Sequence, residues 1–152
     1  LRYDPLSYLS DPKLRPRIEA MDMMQRAALA EAITGNMGVH IAYCVRADAP
    51  VISAPWDDPT AIPCLRELDG AKLAAGIPRD GVLRVTFDGL TVPVPLPRLA
   101  GAILSRIDGK RSIGEIGDDL AQNGMAREVF AREFQTLVAA MEKTNRLLIS
   151  AP

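Results

Sequence analysis

The chain has 152 residues, 48% of them hydrophobic and 24% charged, with a formal net charge of −1. These proportions are typical of a soluble globular protein, and the length accommodates one ordinary domain or two small ones. A net charge so close to zero argues against a nucleic-acid or membrane surface as the main partner. The two cysteines, Cys44 and Cys64, and a single histidine are too few for a structural zinc site built on these residue types.

The cellular compartment is inferred from the same features. No apolar run approaches the length of a membrane span, and the first residues do not have the pattern of a signal peptide, so we expect none. The sparse cysteines fit a reducing cytosol, and a Cys44–Cys64 disulfide is the less favoured alternative. We therefore expect a cytoplasmic protein that does not enter a membrane.

The first part of the chain is predicted to contain two helices. The first, short helix is marked by apolar residues at helical spacing: Leu14, Ile18 and Met21. The second begins at the capping box Asp22-x-x-Gln25, in which each side chain satisfies an amide of the other residue, and it ends at Gly35. The side chains expected to face inward are Met24, Ala28, Leu29, Ala32 and Ile33.

A strand and a long connection follow these helices. Apolar residues alternate with small or polar ones from Met37 to Val45, which predicts a half-buried strand. Residues 47–63 are rich in proline and are predicted to form a linker or surface loop, with a short helix after them at 71–76. The chain is thus divided into a helical and strand segment over 1–46 and a linker-rich connection over 47–81.

The last part of the chain opens with a predicted β-hairpin. Apolar residues alternate over 82–87 and again over 90–94, and Asp88-Gly89 between them is typical of a type I′ turn. Pro93 and Pro95 cannot donate a hydrogen bond to a neighbouring strand. The second strand should therefore lie at an edge of its sheet.

Three helices and a short strand complete this C-terminal domain over 82–152. The second helix begins at the capping box Ser112-x-x-Glu115, and Leu147-Leu148-Ile149 is expected to add a strand to the hairpin. The apolar positions of the first helix are Leu96, Leu99, Ala100, Ile103, Leu104 and Ile107. Those of the third are Phe130, Phe134, Leu137, Val138 and Met141.

This order of elements predicts the fold class. A hairpin, three helices and a strand form the layout of a winged-helix domain. The expected fold is α+β and mainly α, with a helical N-terminal segment and a winged-helix-like C-terminal domain carrying a small antiparallel sheet. The alternative is a helical bundle with a decorative hairpin.

No residue pattern indicates catalysis. His40 alternates with buried positions and is interpreted as structural, and neighbours such as Asp57-Asp58 or Asp118-Asp119 diverge too far to form an acid–base pair. The turn at 35–38 precedes a strand, whereas a phosphate-binding glycine loop follows one. Trp56 could anchor a partner, although a loop tryptophan more often fixes the loop to its own domain. We assign no catalytic, cofactor-binding or metal-binding residue.

Two parts of the chain resemble a known family. The early part is Tyr8-Leu9 through Ile18, Gln25-Arg26-Ala27-x-Leu29-Ala30-Glu31, Gly35-Asn36 and His40-Ile41-Ala42-Tyr43. It is similar to the region after the catalytic domain in certain bacterial SAM-dependent methyltransferases, whose C-terminal extension is often called a methyltransferase regulatory domain. The later part is Pro95-Leu96-Pro97 and Ile103-Leu104-x-x-Ile107-Asp108-Gly109-Lys110-Arg111-Ser112-Ile113-x-Glu115-Ile116. It resembles the winged helices at the tails of such enzymes and the small peptide-binding winged helices of modified-peptide biosynthesis.

The resemblance implies a non-catalytic regulatory or substrate-recognition domain of a SAM-dependent methyltransferase whose catalytic domain lies upstream of Leu1. The acidic-x-Gly-x-Gly loop that holds SAM in that family is missing here, so we expect SAM in the parent chain and none bound to this part. The expected partner is the upstream catalytic domain, another protein or peptide, or a second copy of the chain.

Two other functions remain open at this stage. A peptide-binding winged helix would add an extended peptide to the hairpin edge. A DNA-binding winged helix is less favoured and no nucleic-acid partner is expected, because the third predicted helix interleaves both charge signs and carboxylates repel phosphate. The exposed positions expected on that helix are Arg127, Glu128, Arg132, Glu133, Gln135, Glu142 and Lys143.

Overall fold

The structure is a computed structural model, and it describes residues 3–35, 46, 48, 54–87, 90–142 and 144–152. Within these residues it has six α-helices and two small antiparallel sheets of two strands each. This confirms the predicted α+β, mainly α class. The chain divides into two compact units, Leu1–Ala49 with Val85–Val92, and Pro50–Arg84 with Pro93–Pro152, which we call unit 1 and unit 2.

Unit 1 contains a 3₁₀ turn at Pro5–Ser7 and two helices, α1 (Arg15–Glu19) and α2 (Met23–Thr34). The predicted capping box of α2 is present. The amide of Gln25 donates to Asp22 Oδ1 at 2.8 Å, and the amide of Asp22 donates to Gln25 Oε1 at 3.2 Å. Gly35 ends the helix with a φ of 59°, a conformation that costs glycine little.

The predicted buried face of α2 was wrong. Of the expected set, Met24, Ala28, Ala32 and Ile33 are exposed, while Ala30, outside that set, is fully buried. The physical reason is that apolar residues lie on all sides of this helix, so their spacing does not select one face. The predicted strand at 37–45, including His40 and Cys44, lies outside the described residues.

Unit 2 holds most of the described elements, and the hairpin begins in it. Strands β1 (Ile62–Leu65) and β4 (Leu147–Ser150) lie in unit 2. The hairpin strands β2 (Val82–Phe87) and β3 (Leu90–Pro95) are shared, since their Val85–Val92 part belongs to unit 1. The helices are α3 (Gly70–Ala75), α4 (Ala100–Leu104), α5 (Ile113–Gln122) and α6 (Arg127–Glu142). Strand β1 was not predicted, whereas the short helix α3 was.

The core of unit 2 is built around α4, α5 and α6. Its fully buried side chains include Ile103, Leu104, Ile116, Phe134, Leu137 and Met141. Helix α4 is shorter than the predicted three turns, since the chain before it carries Pro95 and Pro97 and forms a turn in which the amide of Ala100 donates to the Pro97 carbonyl at 3.0 Å. Ile107 is nevertheless buried, because a further turn after α4 brings it to the core.

Strand β4 pairs with β1, and the prediction that it would extend the hairpin was wrong. The pairing is antiparallel, with Leu65 opposite Leu147 and Cys64 opposite Leu148. This register places Leu65 and Leu147 on the core side, where they are 8% and 4% exposed. Burial of those two leucines explains why β4 joins β1 rather than the hairpin.

Candidate functional site: an apolar cleft in unit 2

The loop over residues 54–61 carries Trp56 and is held by a carboxylate-centred turn. Asp58 Oδ1 accepts hydrogen bonds from the amide of Thr60 at 2.9 Å and from its hydroxyl at 2.7 Å. These bonds, the hydroxyl first, keep the pKa of Asp58 below its ordinary value. The amide of Ala61 closes the turn by donating to the Asp58 carbonyl at 3.1 Å. Asp58 is therefore a structural residue of this loop.

The loop docks on the N-terminus of α5. The amides of Ile113 and Gly114 donate to the carbonyls of Ala61 and Pro59, both at 2.8 Å. These two amides have no partner within the helix, so the loop supplies acceptors that water or a cap would otherwise provide. A Cβ at position 114 would lie 3.0 Å from the Pro59 carbonyl oxygen, and the glycine thus permits this approach.

A second glycine of α5 brings α6 close. A Cβ at Gly117 would lie 3.0 Å from Cε1 of Phe130, so the ring packs directly over the helix backbone. Phe130 stacks on Phe134 with ring centroids 5.5 Å apart and an interplanar angle of 29°. Both rings are buried, at 6% and 1% exposure, and they form the floor of a cleft between the loop, α5 and α6.

Between the loop, α5 and α6 lies a cleft of about 210 Å³, which we call the Trp56 cleft. Its lining is mostly apolar: Trp56, Pro59, Ile113, Gly114, Gly117, Phe130, Ala131 and Phe134, together with Asp57 and Arg127. Trp56 is half-buried and packs against the core, as expected for a loop tryptophan, yet it also forms a wall of the cleft. The volume is below the roughly 300–1,000 Å³ of small-molecule sites, and the cleft has room for one large side chain.

Charges of both signs lie at the cleft. Arg127 pairs with Asp118, and both side chains are largely exposed. The neighbouring Asp119 points to another partner, since Arg106 Nε lies 2.7 Å from its Oδ2. The carboxylate of Asp57 has neither a hydrogen bond nor an ion pair with any described residue. The two members of each adjacent pair, Asp57-Asp58 and Asp118-Asp119, therefore have separate surroundings.

Sequence reasoning identified Trp56 but not the two glycines that shape its cleft. Gly114 and Gly117 are three residues apart inside a helical pattern, where glycine costs about 1 kcal/mol relative to alanine. Such a pair signals close approach of another backbone or ring. The glycine pair could have indicated a close contact on α5 from the sequence, but not which elements make that contact.

The hairpin edge is the candidate site for peptide addition, and near its base several backbone groups cannot pair with an added strand. The amide of Leu96 donates to the Gly81 carbonyl at 2.9 Å. In this antiparallel register the nitrogens of Pro93 and Pro95 face away from β2, toward the open edge of β3. Because proline has no N–H, neither residue can donate a hydrogen bond to a third strand there. On the β2 side, the amide of Val82 donates to Asp80 at 3.1 Å. A guanidinium nitrogen of Arg84 donates to the Val82 carbonyl at 3.3 Å. The tip residues Asp88-Gly89 lie outside the described residues.

One carboxylate of the charged helix α6, that of Glu133, makes a hydrogen bond within unit 2. Glu133 Oε2 accepts a hydrogen bond from the amide of Leu99 at 2.9 Å, just before α4. Arg127, Glu128, Arg132, Gln135 and Glu142 are exposed, and Lys143 lies outside the described residues. Both charge signs are thus present on the exposed face of α6.

A second cleft, of about 260 Å³ and more polar lining, includes Cys64, Asp69, Ser105 and Asp108. Cys64 is an exposed free thiol. In the described part of the chain, no three His, Cys, Asp or Glu side chains come together in a way that could hold a metal ion. Likewise, no helix among those residues has the length and apolar character needed to cross a membrane.

Comparison with known proteins adds no relative to this description. No family model, no curated protein and no solved structure matches the chain.

Proposed function

We propose that this chain is a non-catalytic protein-interaction domain whose Trp56 cleft receives an apolar side chain of a partner protein. The observation that carries the proposal is the cleft itself, an apolar recess walled by a tryptophan and floored by two stacked phenylalanines. Pockets that accept one anchoring side chain, rimmed by polar groups, are the usual centres of protein interfaces. Aromatic residues are enriched at such centres.

The proposed partner follows from the resemblance to the C-terminal region of bacterial SAM-dependent methyltransferases. We propose a regulatory or substrate-recognition domain that acts on an upstream catalytic domain of the same parent chain. SAM would be bound by that catalytic domain, since the acidic-x-Gly-x-Gly loop that holds SAM in the family is missing from this sequence. A cytoplasmic location belongs to the same proposal.

The hairpin-edge alternative, a peptide-binding module, is less favoured. Peptide addition needs free amides and carbonyls along one strand edge. At the hairpin base, prolines occupy β3 and side chains of Asp80 and Arg84 occupy the polar groups of Val82. Such devices are used by proteins to prevent strand addition.

A pair of matched variants on α6 tests the cleft. Ala131 lines it and is exposed, whereas Ala139 is exposed on the same helix and is absent from the lining. Both are replaced by glutamine, which adds volume, keeps the charge and favours helix. The upstream polypeptide encoded in the same reading frame is then titrated into wild-type and variant protein by calorimetry.

We expect micromolar binding that Ala131→Gln weakens by at least about ten-fold, equivalent to about 1.4 kcal/mol, and that Ala139→Gln leaves unchanged. Equal effects of the two variants would place the interface elsewhere. An upstream reading frame without a methyltransferase domain would reject the regulatory assignment.

A further inference from the structure

We infer that the segment that enters the Trp56 cleft carries a lysine or arginine next to its apolar anchor. This rests on the proposed function, because it specifies the chemistry of the partner at the same site. The inference follows from the size of the cleft and from the balance of charge at its mouth.

The size limits the occupant to one apolar side chain. At about 210 Å³ the cleft has space for one aromatic or aliphatic group. Trp56, Phe130 and Phe134 offer ring surfaces to such a group, and the fixed floor formed by the two phenylalanines favours a flat ring. Residues next to the anchor must then lie at the mouth.

The two charged residues of the cleft lining, Asp57 and Arg127, differ in whether they have a partner. Arg127 is matched by Asp118. Asp57 lines the cleft, is exposed, and makes no ion pair or hydrogen bond with any residue in the described ranges. A basic group beside the anchor would therefore gain an ion pair with Asp57, whereas an acidic group would meet a like charge.

Three small probes with the same phenyl ring distinguish binding in the cleft from a charge preference at its mouth. They are the neutral 2-phenylethanol, the cationic 2-phenylethylamine and the anionic 3-phenylpropanoate. Trp56 is the single tryptophan of the chain, so its fluorescence reports binding at the cleft directly. Each probe is titrated at low ionic strength, because salt screens an exposed ion pair.

We expect the amine to bind about two- to five-fold more tightly than the carboxylate, the range that exposed ion pairs give. Asp57→Asn should abolish this preference and leave the affinity for 2-phenylethanol unchanged. Asp118→Asn, which removes the partner of Arg127, should reduce the preference by a similar factor while Asp57 remains. Equal binding of amine and carboxylate to the wild type, or a preference that survives Asp57→Asn, would overturn the inference.

The neutral probe, 2-phenylethanol, tests the proposed function separately from the charge preference. If 2-phenylethanol changes Trp56 fluorescence and Ala131→Gln weakens that response, the cleft is a binding site whatever the charge preference. If none of the three probes affects Trp56, both the proposed function and the inference built on it are rejected.

Discussion

Helices α2 and α5 begin in the same way but have very different surroundings. Each opens with a capping box, Asp22-x-x-Gln25 in unit 1 and Ser112-x-x-Glu115 in unit 2, and in both boxes the two reciprocal hydrogen bonds are present. Helix α5 then buries Ile113, Ile116, Gly117 and Leu120 along one stripe. Helix α2 buries only Ala30, and leaves Met23 and Met24 79% and 73% exposed.

The difference separates two kinds of information. A capping box is a local arrangement of a few residues, so it forms wherever the backbone turns into a helix. Burial depends on whether the apolar residues form one stripe that a core can cover. In α5 they do, and in α2 they are distributed around the helix. The same starting signal thus leads to a core helix in unit 2 and to a largely exposed one in unit 1.

The largest expected effect contrasts a leucine of unit 2 with a methionine of unit 1. Leu104 is fully buried on α4, so Leu104→Ala should lower the free energy of unfolding by about 2–5 kcal/mol. Met24→Ala on the exposed surface of α2 should change it by less than about 0.5 kcal/mol. Chemical denaturation followed by circular dichroism measures both. Similar losses for the two variants would mean that the contrast in burial is not present in solution.

An intermediate effect is expected at the first residue of α3. A Cβ at Gly70 would lie 2.3 Å from the Leu104 carbonyl oxygen and 2.5 Å from that of Ile107, and backbone atoms cannot rotate away. Gly70→Ala should therefore cost about 1–3 kcal/mol, the range of overpacked cores. Gly76→Ala, at the other end of α3, is the matched control, because its Cβ would have no contact shorter than 3.4 Å. Thermal unfolding of both variants measures the difference, and equal melting temperatures would contradict the packing of α3 on α4.

The smallest effect concerns the charge in the α5 capping box. Hydrogen bonds from Ser112, the amide first, hold the pKa of Glu115 below its ordinary value of 4.5. Since the pKa is lower in the folded state, this stabilisation is complete above about pH 4.5 and is lost as the pH falls through the folded-state pKa. Glu115→Gln gives α5 the residue type that Gln25 provides in α2.

That variant should reduce the loss of stability as the pH falls below about 4.5, because it removes one group that binds a proton on unfolding. Denaturation curves at a series of pH values measure the slope for wild type and variant. Identical slopes would show that Glu115 does not contribute to the acid sensitivity of the fold.

Local signals in the sequence predicted many of the elements. The capping boxes and Gly35 located the ends of helices, and the alternation over 82–87 located a strand, because each depends on neighbours within a few residues. The core positions of α6 were also predicted from their helical spacing. Such features require no knowledge of what packs against them.

The tertiary structure decided which elements meet. Strand β4 could have joined the hairpin on its own sequence, but burial of Leu65 and Leu147 pairs it with β1. The Trp56 cleft has the same origin, since its loop at residues 54–61 is far in sequence from the consecutive helices α5 and α6 and meets them where Gly114 and Gly117 leave space. The sequence alone determined where helices start and stop through short-range hydrogen bonds. The partners of each surface were decided by packing, which depends on the shape of the whole core.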